Sequence, residues 1–142
     1  MRTVRRLALP MALLLALGFV ASACTRNAAA AESAKYVNEV RSTRGIGPLR
    51  WDPTLINKAQ AWAEVMAARG AASHSVLADG AGDNWRILGE NVGMAGSVAE
   101  MHNLFMNSAP HRSNILNGAY NRIGTGVAES GGRYFVVQVF AG

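Results

Sequence analysis

The chain has 142 residues, with 14 lysines and arginines, nine aspartates and glutamates, and a single cysteine. This length corresponds to one domain, since domains typically contain about 100–200 residues, and it excludes a multidomain enzyme. One cysteine excludes an intramolecular disulfide and a zinc site built from several cysteines.

Residues 1–23 have the features of a secretory signal peptide. Three arginines precede an apolar run at residues 7–23, which ends in Ala21-Ser22-Ala23. The run is shorter than the about 20 apolar residues of a membrane span, so we predict a cleaved signal rather than an uncleaved anchor.

Cys24 directly follows the small residues. Ala21-Ser22-Ala23-Cys24 resembles a bacterial lipobox, although Ala21 stands where leucine is usual, and the same residues would also suit ordinary cleavage after Ala23. We favour lipidation of Cys24, because a lone thiol has little other use in an exported protein. Residues 24–31 are then a tether and residues 32–142 the folded domain.

The signal segment contains three of the basic residues and none of the acidic ones. The remainder has eleven basic and nine acidic residues, a net charge of +2. These basic residues are scattered singly in the sequence, whereas nucleic-acid binding needs a clustered basic face. We therefore predict a monomer with no nucleic-acid partner, which contacts a membrane only through its N-terminal lipid anchor.

The first half of the domain has two helical patterns. Ala34, Val37 and Val40 lie on one face of a helix that starts near Glu32. Asp52-Pro53 supplies an N-cap and a first-turn proline for a second helix, which Gly70 closes. Four residues of the second helix recur at helical spacing and are predicted to face the sheet: Leu55, Ala59, Trp62 and Met66.

The second half has two short helices and then strands. Ser97 to Glu100 form a capping box, and Ser108-Ala109-Pro110 starts a fourth helix. Alternation at residues 123–128 and a β-branched, aromatic run at residues 134–140 predict two strands, joined by a hairpin at Gly131-Gly132. Helices followed by a hairpin predict an α+β fold with an antiparallel sheet.

Three polar clusters are candidates for chemistry: His74-Ser75, Glu90-Asn91, and the stretch from Ser108 to Arg112 that contains His111. Their spacing matches no local metal motif. The positive end of the fourth helix disfavours a charged imidazole at His111. We therefore expect a neutral imidazole there, which can bind a metal or accept a hydrogen bond. The same pattern also suits a buried structural histidine bonded to Glu90.

An ordered series of motifs extends over residues 34–140: Val37 to Arg41, Gly47 to Asp52, Met66-Ala67, His74-Ser75, Gly89 to Val92, Ser108 to Leu116 and Ile123 to Ala128. This series resembles the CAP superfamily (cysteine-rich secretory proteins, antigen 5 and pathogenesis-related proteins) in its bacterial SCP-domain branch. The resemblance implies a three-layer α-β-α sandwich with a central, mainly antiparallel sheet, and a cleft lined by two histidines and two acidic residues.

By this resemblance, His74 and His111 are the imidazoles and Glu90 is the first acid, and we place Asn91 with them among the ligand-binding residues. His74 and His111 are the candidate ligands of a divalent cation such as zinc. Ser108 stands where the family usually has the second acid, so the set of four is incomplete.

Two functions are compatible with these residues. One is an exported cell-envelope module whose cleft binds a small ligand, a lipid or a divalent metal. The other is a protease-like hydrolase that uses His74, Glu90 and His111 with a metal-bound water, or with Ser75 or Ser108 as nucleophile. We favour the binding module, because catalytic zinc usually has three protein ligands and no G-x-S-x-G elbow occurs.

Overall fold

The computed structural model describes residues 28–142. The predicted signal peptide, Cys24 and the first half of the predicted tether lie outside this range. The elements are α1 (residues 28–42), β1 (Arg50–Trp51), α2 (Pro53–Arg69), β2 (Leu88–Ala95), α3 (Val98–Asn107), α4 (Ala109–Leu116), β3 (Arg122–Ser130) and β4 (Arg133–Ala141). Within residues 28–142, no helix combines the length and apolarity that a membrane span requires.

The four strands form one sheet in the order β1-β3-β4-β2. β1 runs parallel to β3, and the other two pairs are antiparallel, so the sheet is mainly antiparallel as the resemblance implies. Gly131 and Gly132 join β3 to β4 with φ angles of 57° and 71°. A two-residue hairpin turn that needs positive φ at both positions favours glycine, which confirms the predicted hairpin.

The sheet lies between two helical layers, which confirms the α-β-α sandwich. Alternate residues of β4 face opposite layers: Val137 and Val139 pack with α2, whereas Val136 and Phe140 pack with α1, α3 and α4. The same alternation in β2 turns Glu90 toward the α2 layer and Asn91 toward the other one.

Helix α2 has the predicted caps and most of the predicted buried face. The Asp52 side chain accepts hydrogen bonds from the first-turn amides, and Gly70 ends the helix in the left-handed conformation. Leu55, Ala59 and Met66 are fully buried against the sheet, as predicted. Trp62 differs: it is only half-buried, and its indole Nε1 donates to the Ser73 carbonyl at 2.7 Å.

Two glycines of β3 let α2 approach the sheet closely. A Cβ on Gly124 would overlap the backbone of Leu55 and Ile56, and a Cβ on Gly126 would overlap the backbone of Ala59 and Gln60. The alternation of glycines with larger residues in β3 therefore creates a flat surface for the helix backbone.

Helix α1 includes residues 28–31, which the sequence analysis assigned to the tether. Ala30 is buried, and its carbonyl accepts a hydrogen bond from Thr125 Oγ1 at 2.7 Å. Alanine has the highest helix propensity, so this alanine run is suited to continue the helix that packs on β3.

Arg41, near the end of α1, is 1% exposed. Its Nε donates to the Gly47 carbonyl, its Nη1 to the carbonyls of Ile115 and Asn117, and its Nη2 to that of Tyr120. Burial lowers the pKa of this guanidinium. Arg41 thus holds the C-terminal end of α4 and the following turn against α1.

His102 predicts a pH dependence of stability. Its Nδ1 is buried between α1 and α3 without a hydrogen-bond partner, and the centroid of its ring lies 5.3 Å from the centroid of the Tyr36 ring. Burial lowers its pKa from the usual 6.5, with the Glu39 charge opposing. Below pH 6.5 the unfolded chain therefore binds a proton that the folded chain does not, and stability falls as the pH falls.

We expect His102→Gln to flatten the decrease in stability between about pH 7 and about pH 5, measured as urea midpoints across this range. The decrease will not vanish, because burial also lowers the pKa of His111. Identical pH profiles for the wild type and the variant would contradict the assignment to His102.

Candidate functional site

Glu90, in β2, is the centre of a hydrogen-bond network on the α2 side of the sheet. Its side chain is 3% exposed. Oε1 accepts hydrogen bonds from His74 Nδ1 at 2.8 Å and from the Ser75 amide at 3.0 Å, and Oε2 accepts one from Ser75 Oγ at 2.5 Å. The buried carboxylate is therefore satisfied by three donors from the predicted His74-Ser75 cluster.

His74 is exposed although its partner is buried. Its side chain is 62% accessible, against 3% for that of Glu90. Because a carboxylate accepts hydrogen bonds, we assign the hydrogen to Nδ1, which leaves Nε2 as the ring nitrogen open to a ligand. The carboxylate fixes the ring orientation, so the imidazole is presented to solvent in a defined direction.

Lys58, in α2, belongs to the same network, and the sequence analysis missed it. The residue is 8% exposed, and its Nζ donates to Ser75 Oγ at 2.9 Å, to the Val76 carbonyl at 2.9 Å and to the Asp79 carbonyl at 2.7 Å. These bonds use all three ammonium hydrogens. Burial lowers the pKa of Lys58, while the charges of Glu90 and Asp79 oppose that shift.

Lys58 orders the segment of residues 75–79 and directs the Ser75 hydroxyl toward Glu90. A sequence signal for it was available, since Lys58 lies between Leu55 and Ala59 on the buried face of an amphipathic helix. A lysine there needs polar partners from another part of the chain.

A surface groove of about 480 Å³ runs beside this network. Its apolar wall consists of Ala61, Trp62, Val65 and Val76, and its polar lining consists of Lys58, His74, Ser75, Asp79 and the Gly80 backbone. The groove is thus mainly apolar, with the His74 imidazole as its exposed polar group.

His111 enters from the opposite helical layer. It lies in the first turn of α4, and its ring packs against Phe105 with centroids 5.0 Å apart. Burial lowers its pKa, and the charge of His74 lowers it further, so the two imidazoles influence each other electrostatically. His111 is not among the residues that line the groove, and the imidazole bonded to Glu90 is His74.

Asn91 is fully buried and supports the site from within. Its Nδ2 donates to the His111 carbonyl at 3.1 Å and to Gln138 Oε1 at 3.0 Å, and its Oδ1 accepts from Asn114 Nδ2 at 2.9 Å. Because it has no exposed surface, we reassign Asn91 from the ligand-binding residues to a residue that positions α4 beside β2.

Ser108 lies at the junction of α3 and α4 and makes no side-chain capping bond to α4. The serine hydroxyl bonded to Glu90 is that of Ser75. Of the two candidate nucleophiles, only Ser75 therefore has a bonded acid, and its hydroxyl is held between Lys58 and Glu90.

The described residues do not fit a catalytic zinc site. Over residues 28–142, no three histidine, cysteine, aspartate or glutamate side chains are grouped so that they could hold a metal ion. Catalytic zinc normally has three protein ligands and an open position. The two imidazoles alone offer at most a weak site.

Comparison with known proteins identifies the family to which this sequence is similar. The family model for cysteine-rich secretory proteins (CAP) matches residues 34–140. The Bacillus subtilis (strain 168) protein YkwD is 32% identical over 106 residues, which are 68% of this chain and 41% of that protein. The chain thus covers less than half of this relative's length.

Solved structures with the same fold include an extracellular protein from Bacillus anthracis that contains an SCP domain. It has a TM-score of 0.72 and 23% identity over 82% of this chain and 41% of that one. An outer surface protein from Borrelia burgdorferi has a TM-score of 0.68 and 16% identity, over 76% of this chain and 87% of that one. At these identities the likeness concerns the fold.

Proposed function

The chain belongs to the cysteine-rich secretory protein (CAP) family, and we propose that it is an exported binding module whose groove beside α2 takes a small amphipathic ligand. The observation that carries this proposal is the exposed His74 imidazole, held by the buried Glu90 at the edge of an apolar groove. The groove volume lies within the about 300–1,000 Å³ of small-molecule sites, which combine apolar walls with a few polar groups.

Export is supported by the descriptions of similar proteins. The Bacillus anthracis protein is described as extracellular and the Borrelia burgdorferi protein as an outer surface protein. With the signal-like residues 1–23, these descriptions favour a location outside the cytoplasm.

Attachment of the module to the envelope through Cys24 is a separate prediction. We expect intact-mass and peptide mass spectrometry of the native protein to find Cys24 as an acylated N-terminal residue, because it directly follows the predicted cleavage site. An unmodified thiol at Cys24, or an N-terminus elsewhere, would contradict the anchor without contradicting export.

The ligand proposal is tested with monododecanoylglycerol, a single acyl chain whose head-group hydroxyls can donate a hydrogen bond to Nε2 of His74. We expect NMR titration below the micelle concentration to shift the Trp62 indole signal and the amides of residues 74–80. His74→Ala should abolish these shifts.

The contribution of the apolar wall is tested with two exposed apolar residues, Val76 as the groove residue and Leu104 as the control. Val76 lines the groove and is 67% exposed, whereas Leu104 is 47% exposed on α3. Val76→Ala should weaken monododecanoylglycerol binding roughly fivefold, since it removes apolar contact area, and Leu104→Ala should have no effect. Absence of binding, or equal effects of the two variants, would contradict a groove that takes an acyl chain.

Zinc binding is expected to be weak and to depend on both imidazoles. Affinity should increase with pH through the imidazole range, because histidine binds metal only when it is deprotonated. His74→Ala and His111→Ala should each abolish zinc binding while the domain stays folded, as checked by circular dichroism. Titration calorimetry of both variants, with His102→Gln as the control, tests this; equal binding by all of them would place the metal elsewhere.

Hydrolysis is the less well supported function. The Ser75 hydroxyl donates to Glu90, but that carboxylate also accepts hydrogen bonds from His74 Nδ1 and the Ser75 amide. The Lys58 amine, as a protonated ammonium with three hydrogen-bond acceptors, has no lone pair with which to act as a base. A serine nucleophile needs a free base oriented by a third group and an oxyanion hole. These contacts favour a binding role for the groove.

A further inference from the structure

A second depression, of about 480 Å³, lies where β1 pairs with the start of β3. It is lined by Arg50, Asp83, Asn84, Trp85, Arg86, Asn121, Arg122 and Gly142. These basic residues are far apart in the sequence, and the strand pairing brings them to one surface.

Two of the arginines are direct neighbours in the sheet. Arg50 and Arg122 are partners in the parallel β1–β3 pair, so their side chains leave the same face of the sheet. The third, Arg86, is placed beside them because its amide donates to the Gly142 carbonyl at 2.7 Å, at the end of β4. Like charges at neighbouring sheet positions repel each other, so a bound counter-anion would stabilise this arrangement.

The three guanidinium groups differ in their partners. Arg122 Nη1 donates to Asp52 Oδ2 at 2.8 Å, and its Nη2 donates to the Asn84 carbonyl. Arg50 and Arg86 are exposed, and in the part of the chain that the structure describes no carboxylate lies within 4 Å of either guanidinium. Asp83 also lines the depression and partly offsets their charge.

We propose that this depression is a binding site for a phosphate oxyanion. Arg50 and Arg86, whose guanidinium groups have no acidic partner among the described residues, would bind the phosphate oxygens, and Arg122 would add a positive charge whose position is fixed by its own hydrogen bonds. Guanidinium groups bind phosphate oxygens in a bidentate manner. The side-chain amides of Asn84 and Asn121, which also line the depression, add neutral hydrogen-bond donors. The site is separate from the groove of His74, with which it shares no lining residue.

The shared ligand chemistry is a phosphate group, which can come from a free anion or from a phosphodiester polymer. The test therefore titrates the protein with inorganic phosphate and, in a second arm, with poly(glycerol phosphate), followed by the NMR signals of the Trp85 indole and the arginine Nε groups. We expect both probes to shift these signals and added salt to weaken the shifts. Tighter binding of the polymer per phosphate would identify a repeating ligand, and equal binding a free anion.

Arg50→Gln combined with Arg86→Gln should weaken phosphate binding roughly tenfold or more, since both free guanidinium ligands are lost. Arg69→Gln combined with Arg133→Gln removes the same charge from exposed positions elsewhere and should change the affinity less than about twofold. Asp83→Asn should tighten binding, because it removes a carboxylate from the rim. Equal weakening by the two double variants, or no shift with either probe, would overturn the proposal.

Discussion

Replacing Arg41 with alanine is expected to lower the free energy of unfolding by about 3–5 kcal/mol, because four carbonyl oxygens around the buried guanidinium lose their donor. A small domain is stable by about 5–15 kcal/mol in total, so this loss is a large part of its stability. Urea unfolding followed by far-UV circular dichroism measures the effect.

Arg44 provides the matched control. It is exposed just beyond α1, and its Nη1 donates to the Val40 carbonyl at 3.2 Å. Arg44→Ala should change the free energy of unfolding by less than about 0.5 kcal/mol. Arg41→Lys should recover only part of the loss, since one ammonium cannot reproduce the planar fork of donors. Equal destabilisation by Arg41→Ala and Arg44→Ala would refute the role of Arg41.

Replacing Gly126 with alanine should destabilise the domain by about 3 kcal/mol or more, at or above the upper end of the overpacking range. The new Cβ would overlap backbone atoms of Ala59 and Gln60, and a helix backbone cannot rotate aside as a flexible side chain can. We expect α2 to move away from β3, and chemical denaturation should show a lower midpoint.

Gly118 is the control for this substitution. A Cβ there would have open space around it, and its backbone does not adopt positive φ. Gly118→Ala should therefore be neutral within about 0.5 kcal/mol or slightly stabilising, because it restricts the unfolded chain. A neutral Gly126→Ala would show that α2 and β3 are not in close backbone contact.

The features that the sequence predicted correctly depend on neighbouring residues. The cap at Asp52, the end of α2 at Gly70 and the turn at Gly131-Gly132 are each set by a few consecutive positions. Trp62 shows the limit of helical periodicity. Its spacing matches the buried face, but whether a side chain at the edge of that face is covered depends on the sheet and on the loop that carries Ser73.

The candidate site was also predicted only in part, because some of its contacts join residues that are distant in the sequence. The family resemblance located His74 and Glu90, which the structure joins directly. Lys58 was missed because its partners come from a loop without periodicity. The role of Arg41 was missed because three of its four acceptors lie more than seventy positions along the chain. The pairing of Arg50 with Arg122 depends on a parallel register that no local pattern reveals.

The strand order also has a consequence for how the chain can fold. The two inner strands, β3 and β4, are the last two in chain order, and both outer strands pair only with them. No part of this sheet can therefore form before residues 122–141 are available, and until then the helices lack the sheet on which they pack. Such non-local pairing slows folding. If the chain is exported as proposed, slow folding would help it to stay unfolded until it has crossed the membrane.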